Sequence, residues 1–262
     1  MCLILFAYQI HPEFDLIVAS NRDEFYDRPT APAHFWENQQ NILAGKDLLK
    51  QGTWLGVTKS GRFAALTNYR NPSEVVEGKR SRGELVADFL KGKQSAYSYV
   101  KEKTRSRDLY PGYNLVVSDG RDLYYYSNQE SMFHKLTPGI YGLSNHLINT
   151  EWPKVTYGRE KLGEIIKGEM DTDEPLFQLL KTSDPAPDEL LPSTGVSLEW
   201  ERILSPLFIE SETYGTRCST IVKFTNNEVI FSERIYTRLS MTNQNFCFTI
   251  DYAKKVSPPN LK

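Results

Sequence analysis

Short apolar segments recur in pairs, each pair joined through a tight turn, and this pairing restricts the chain more than any other feature. Residues 2–10 and 15–21 are rich in Ile, Leu, Val and aromatics and flank His11-Pro12-Glu13. Residues 53–59 and 62–68 flank Ser60-Gly61, and 113–118 and 121–126 flank Asp119-Gly120. Residues 218–224 and 228–235 flank Asn226-Asn227. Gly or Asn between two strand-like runs is the local signature of an antiparallel hairpin. Shorter strand candidates lie near 131–136, 139–143 and 246–251. Between the pairs the period changes. Leu85, Phe89, Tyr97 and Val100 predict a helix over 81–104, with Ser81 and Glu84 spaced as a capping box. Further helices are predicted over 152–167, where Pro153 suits a first turn, and over 174–182. Hairpins, then helices, then hairpins again predict an α+β layered fold.

The chain has 262 residues, enough for a sizeable core, and the pattern predicts one domain over 1–262. The Pro-rich loop from Ser183 to Ser197 is the best place for a break, but strands lie on both sides of it. With 31 Lys+Arg against 33 Asp+Glu and no basic stripe, a nucleic-acid partner is not expected. No apolar run approaches the roughly 20 residues of a transmembrane helix. The apolar start Cys2–Tyr8 has no Lys or Arg before it and no cleavage site after it, so the expected location is cytoplasmic. Three cysteines (Cys2, Cys218, Cys247) give no disulfide framework. His11, His34, His134 and His146 share no close spacing, so neither a catalytic metal nor another cofactor is expected.

Cys2 directly follows the initiator methionine. Methionine removal before a small residue would leave one residue carrying both a thiol and an α-amine. That amine has an ordinary pKa of roughly 7.7–8.0, so it can take the thiol proton near neutrality. If 2–10 pair with 14–22 around the turn, partner positions sum to about 24, and residue 2 faces residue 22. Local geometry therefore delivers Asn21-Arg22-Asp23-Glu24 to the chain terminus. Arg22 can lower the thiol pKa, and Asp23 can hold the α-ammonium or orient the amine.

Asn21-Arg22-Asp23-Glu24-Phe25-Tyr26-Asp27-Arg28-Pro29 resembles the signature of the NRDE family, the transport and Golgi organisation 2-like proteins. Gly52-Thr53-Trp54-Leu55-Gly56, Leu66-Thr67-Asn68-Tyr69-Arg70, Ser81-Arg82-Gly83 and Tyr113-Asn114-Leu115 resemble the same family. So do Tyr141-Gly142-Leu143-Ser144-Asn145 and Tyr214-Gly215-Thr216-Arg217-Cys218-Ser219-Thr220. The resemblance implies a four-layer αββα sandwich of the N-terminal-nucleophile hydrolase type. It also implies an association with haem handling, lipid metabolism and secretory organisation, without one agreed reaction.

A more distant similarity, to the cysteine N-terminal-nucleophile amidases such as penicillin V acylase and bile salt hydrolase, implies a site of Cys2, Arg22, Asp23, Asn68 or Asn145, and Arg217. One departure stands out. The amidases place two residues between their Arg and Asp, whereas Arg22 and Asp23 are adjacent and strand neighbours point to opposite faces. Asn68, at a strand end, could donate to an oxyanion, a role worth about 3 kcal/mol; a turn residue before Pro72 is the alternative. Arg217 could clamp a substrate carboxylate or form a structural ion pair. The expected activity is hydrolysis of an amide or acyl bond of a small molecule, with Arg22, Asn68 and Arg217 binding substrate. The alternative is a non-enzymatic carrier of haem or another hydrophobic or acyl metabolite. None of the three cysteines precedes a proline, the usual haem-regulatory pair.

Overall fold

The computed structural model describes residues 2–168 and 170–251. Met1, whose removal the sequence reading invokes, lies outside them. The chain opens with β1 (Cys2–Tyr8), β2 (Leu16–Phe25), β3 (Thr30–Trp36), β4 (Gln39–Asp47), β5 (Leu55–Thr58) and β6 (Phe63–Asn68). Helices α1 (Gly83–Lys91) and α2 (Ala96–Thr104) follow, then β7 (Tyr113–Ser118), β8 (Leu123–Ser127), β9 (Phe133–Lys135) and β10 (Gly139–Leu143). Next come α3 (Pro153–Ile165), α4 (Glu174–Leu180) and α5 (Leu198–Ile203), and finally β11 (Tyr214–Phe224), β12 (Glu228–Tyr236) and β13 (Met241–Thr249).

The strands form two antiparallel sheets, ordered β10-β1-β2-β11-β12-β13 and β3-β4-β5-β6-β7-β8-β9. Strand alternation sorts their residues into layers. Ile4, Phe6, Leu16 and Val18 point inward and pack against Leu43, Val57, Phe63 and Val116 of the other sheet. Leu3, Leu5, Ile17 and Ala19 point the other way, onto Val155 and Leu162 of α3 and Leu176 and Phe177 of α4. On the far side, Ala64, Leu66, Leu115 and Val117 meet Leu85 and Phe89 of α1 and Val100 of α2. The result is the αββα sandwich, with apolar residues on both faces of each sheet. Each fully buried Leu, Ile, Val or Phe contributes about 1.5–3 kcal/mol.

Three local differences from the sequence reading have physical causes. The predicted helix 81–104 is two helices. It breaks at Gly92, and Ser95 restarts it by accepting from the Ser98 amide. The break shifts the phase, so Tyr97 is 44% exposed and Tyr99 takes its place in the core. The capping box does not form: Arg82 occupies the N-cap without a side-chain bond, and Glu84 pairs with Arg80. Strands β3 and β4 were not readable as a pair. Irregular register at Ala31/His34 and Phe35/Trp36 interrupts the alternation of β3, which also carries Pro32 at the sheet edge.

No helix among the described residues is long and apolar enough to cross a membrane. Among them, no group of three or more His, Cys, Asp or Glu side chains is placed to hold a metal ion.

Candidate functional site

The β1–β2 hairpin pairs Cys2 with Arg22, the register expected from the turn position. Cys218 of β11 pairs with Arg22 from the other side. Three adjacent strands therefore carry Cys2, Arg22 and Cys218 in one row. Both thiols are buried.

The Arg22 guanidinium lies 4.2 Å above the Trp54 ring and donates to Thr30 Oγ1 at 3.2 Å. Glu24 approaches it at 4.0 Å. Stacking, hydrogen bond and ion pair together fix a planar cation beside the start of β1.

A cavity of about 410 Å³ opens over this point. Cys2, Arg22, Asp23, Trp54, Leu66 and Asn68 line its floor, and the β4–β5 and β6–α1 segments form its walls. The lining holds six basic side chains, Arg22, Arg28, Lys50, Lys79, Arg80 and Arg82, against three acidic ones, Asp23, Glu24 and Asp47. Arg28 is held by Asp47 at 2.8 Å, and Asp47 Oδ1 also accepts the amides of Leu49 and Lys50. Arg82 donates to the Gly112 carbonyl at 3.1 Å. Gly52 lets the two walls meet, because a Cβ there would stand 2.5 Å from the Gly83 carbonyl carbon. Two of these cations, Lys79 and Arg80, are paired in turn with Glu74 and Glu84, and Trp54, Leu66 and Val76 add apolar surface.

The other expected site residues divide. Asn68 lines the cavity, and Asn145 stands behind it: Asn145 Nδ2 donates to the Asn68 carbonyl at 2.9 Å, and the Arg70 amide donates to the Asn145 carbonyl. The single O–H of Ser144 has two acceptors in reach, Asn145 Oδ1 at 3.2 Å and the Cys2 carbonyl at 3.4 Å. Of the two asparagines, Asn68 is the one at the cavity surface, and Asn145 fixes its backbone. Asp23 borders the cavity, and its Oδ1 accepts from Thr216 Oγ1 at 2.7 Å. Arg217 is not part of the cavity lining. A register shift between Thr216 and Cys218 turns it aside, and its guanidinium donates to the carbonyls of Phe25 and Arg28. It braces the turn that carries Arg28.

Burial pushes the Cys2 thiol above its ordinary pKa, with Arg22 acting in the opposite direction. Cys218 is pushed well above by burial. Cys247 is exposed, because β13 is an edge strand whose side chains alternate between exposed and half-buried.

Sequence reasoning assigned no role to Trp54 or Arg82. Trp54 and Arg82 lie inside motifs that were recognised, and nothing in either motif says which ring or cation faces the cavity.

Glu233 of β12 is buried and joins the sheets, since its carboxylate accepts the Ala33 amide of β3 at 2.7 Å. Burial pushes its carboxyl up. A raised midpoint means that Glu233 stabilises the fold fully below the unfolded carboxylate range and loses that contribution as pH climbs through the folded midpoint. Melting wild type and Glu233→Gln at about pH 4 and about pH 8 should therefore show the difference moving in the variant's favour at the higher pH. An unchanged difference would contradict the assignment.

The chain matches the family described as Transport and Golgi organisation 2 over residues 1–238. It is 35% identical over 257 residues to the Transport and Golgi organization 2 homolog of Mus musculus, covering 89% of this chain and 92% of the relative. It is 30% identical over 270 residues to Transport and Golgi organization protein 2 of Drosophila melanogaster, covering 91% and 93%. Among solved structures it is similar in fold to a mutant conjugated bile acid hydrolase from Clostridium perfringens. That match has TM-score 0.52 and 11% identity, with 100% of both chains covered.

Proposed function

The chain belongs to the Transport and Golgi organisation 2 family, and on that premise we propose that it is a cysteine N-terminal-nucleophile hydrolase acting on an amide or acyl bond of an anionic small molecule. The observation that carries the reading is the pairing of Cys2 with Arg22 at the floor of a basic cavity. The reading requires removal of Met1, which gives Cys2 its own amine.

In the proposed reaction, Cys2 Sγ attacks the carbonyl carbon while its proton passes to the α-amine. The Asn68 side chain, whose backbone carbonyl Asn145 holds from behind, donates to the oxyanion. Collapse breaks the bond to the leaving group, which takes the proton from the ammonium, and a thioester remains on Cys2. Water, deprotonated by the amine, then hydrolyses the thioester and releases the carboxylic acid. Arg22 stabilises the thiolate, and its neighbours in the lining attract the anionic end of the substrate. Arg217 contributes through the turn that holds Arg28.

One observation favours the carrier reading instead: the Cys2 thiol is buried, which pushes its pKa up, and binding of haem or an acyl metabolite without turnover would need no thiolate. The two readings separate in one experiment on the methionine-processed chain. A panel of amides, thioesters and esters bearing carboxylate or phosphate groups is assayed for turnover, and the same compounds and haem are assayed for a melting-temperature shift. The hydrolase predicts turnover of at least one member. Ligand-induced stabilisation with no turnover anywhere in the panel supports the carrier. Arg22→Ala should weaken anionic ligands under both readings and so reports that the cavity is the binding site.

A further inference from the structure

Most of the positive charge around the cavity is already answered by the protein itself. Arg22 stacks on Trp54 and reaches Glu24, Arg28 holds Asp47, and Lys79 and Arg80 hold Glu74 and Glu84. Lys50 is exposed. Arg82 differs from all of these. It is half-buried in the cavity lining and makes no ion pair among the described residues.

The Arg82 guanidinium uses Nη1 to donate to the Gly112 carbonyl at 3.1 Å. Its Nε and Nη2 have no acceptor among the described residues. Those two nitrogens share one edge of the planar fork, and their N–H bonds match the paired oxygens of a carboxylate or phosphate. Burial pulls the guanidinium below its ordinary pKa, as expected of a cation short of counter-charge.

Gly112 ties this cation to the rest of the site. The carbonyl that accepts from Arg82 also accepts the Tyr69 amide at 2.9 Å, one residue beyond Asn68. A Cβ at Gly112 would stand 3.0 Å from Tyr69 Cβ, so the two segments pack closely. The Gly112 amide donates to Glu74 Oε2 at 2.8 Å, and Glu74 Oε1 accepts from Lys79, so Glu74 is engaged on both oxygens. Behind Arg82, the Gly83 carbonyl accepts the Thr53 amide at 3.1 Å. One carbonyl therefore sets the separation between the Arg82 fork and Asn68.

We propose that Arg82 is the specificity-determining residue of the cavity, its Nε–Nη2 edge binding a carboxylate or phosphate of the substrate at one set distance from the carbonyl that Cys2 attacks. The role in turnover rests on the hydrolase reading; the anion site would serve a carrier equally. The substrate class narrows to acyl compounds whose own anionic group stands at a single preferred spacing from the acyl carbonyl.

The test uses N-hexanoylglycine, N-hexanoyl-β-alanine and N-hexanoyl-γ-aminobutyrate, each beside its neutral carboxamide. Hexanoylaminoethyl phosphate beside its neutral dimethyl ester is the phosphate arm. Calorimetry on the methionine-processed Cys2→Ala chain measures binding without consuming the probes. At one spacing the anionic probe binds about ten- to a hundredfold tighter than its neutral partner, the range for hydrogen bonds to a charged group. The arm that shows the preference assigns carboxylate or phosphate. Added to that chain, Arg82→Gln keeps a donor for Gly112, removes the charge and abolishes the preference, while neutral probes bind as before. A purely structural role would weaken both kinds of probe alike. Arg82→Lys keeps the charge without the fork and retains part of the preference. Equal affinity for charged and neutral probes, or a preference that survives Arg82→Gln or is lost in Lys50→Met instead, overturns the proposal. If Arg82→Gln does not fold, a wild-type preference in Arg82→Lys overturns it. An Arg82-dependent preference with no turnover of any probe by the Cys2 protein counts against the hydrolase reading and leaves the anion site standing. Turnover of charged and neutral probes with equal kcat/KM overturns the anion site and leaves the hydrolase reading standing.

Discussion

Replacing Cys2 with alanine in the methionine-processed protein is expected to lower kcat by about 10³-fold or more while leaving the melting temperature close to that of wild type. The side chain lost is small, and alanine fills nearly the same space at the end of a strand whose next four residues, Leu3 to Phe6, are buried. Ligand affinity should persist, because the walls and their cations are untouched. Cys2→Ser should also abolish turnover, since the hydroxyl is the poorer nucleophile. A Cys2→Ala protein that turns over the same substrates at the wild-type rate would show that another group makes the bond. Cys218, on the far side of Arg22, would then be the first residue to examine.

The largest expected loss of stability comes from Glu201→Ala, about 3–5 kcal/mol, because it leaves the Arg70 charge buried without its partner. The pair is 2.8 Å apart, and its side chains are 6% and 4% exposed. Arg70 also lies 4.9 Å above the Trp152 ring. Glu201 does more than neutralise a charge, since its other oxygen accepts the Thr194 amide at 2.9 Å and so ties the Pro-rich loop to α5. Arg70 lies two residues beyond Asn68, so loosening it should also displace the proposed oxyanion donor. Denaturant unfolding measures the loss. The double variant Arg70→Met, Glu201→Leu should recover part of it, as paired charges are replaced together by apolar side chains. A loss below about 1 kcal/mol in Glu201→Ala would place the pair among the weak surface bridges.

What the sequence made legible was local. The turn at His11-Pro12-Glu13 set the partner of Cys2, because a hairpin register follows from its turn and both strands are apolar on two faces. The adjacency of Arg22 and Asp23 implied opposite faces of the strand, and of the two it is Arg22 that pairs with Cys2, while Asp23 Oδ1 accepts from Thr216. Illegible features were those set by irregular or distant geometry. The register shift that turns Arg217 aside is one extra residue in a strand pair, with no mark in its own sequence. The edge strand β13 reads as apolar around Cys247 because alternation alone does not say which strands have a single neighbour.

The central claim is that Cys2, freed at the chain terminus, forms a covalent intermediate. Its most direct measurement is the intact mass of protein made in a methionine-processing host and acid-quenched during turnover of a substrate found in the panel, followed by peptide mapping. The account predicts a chain shorter by one methionine, carrying an acyl group on the peptide that begins with Cys2. Retention of Met1 in a protein that still turns over, or an acyl group on any other residue, would contradict it.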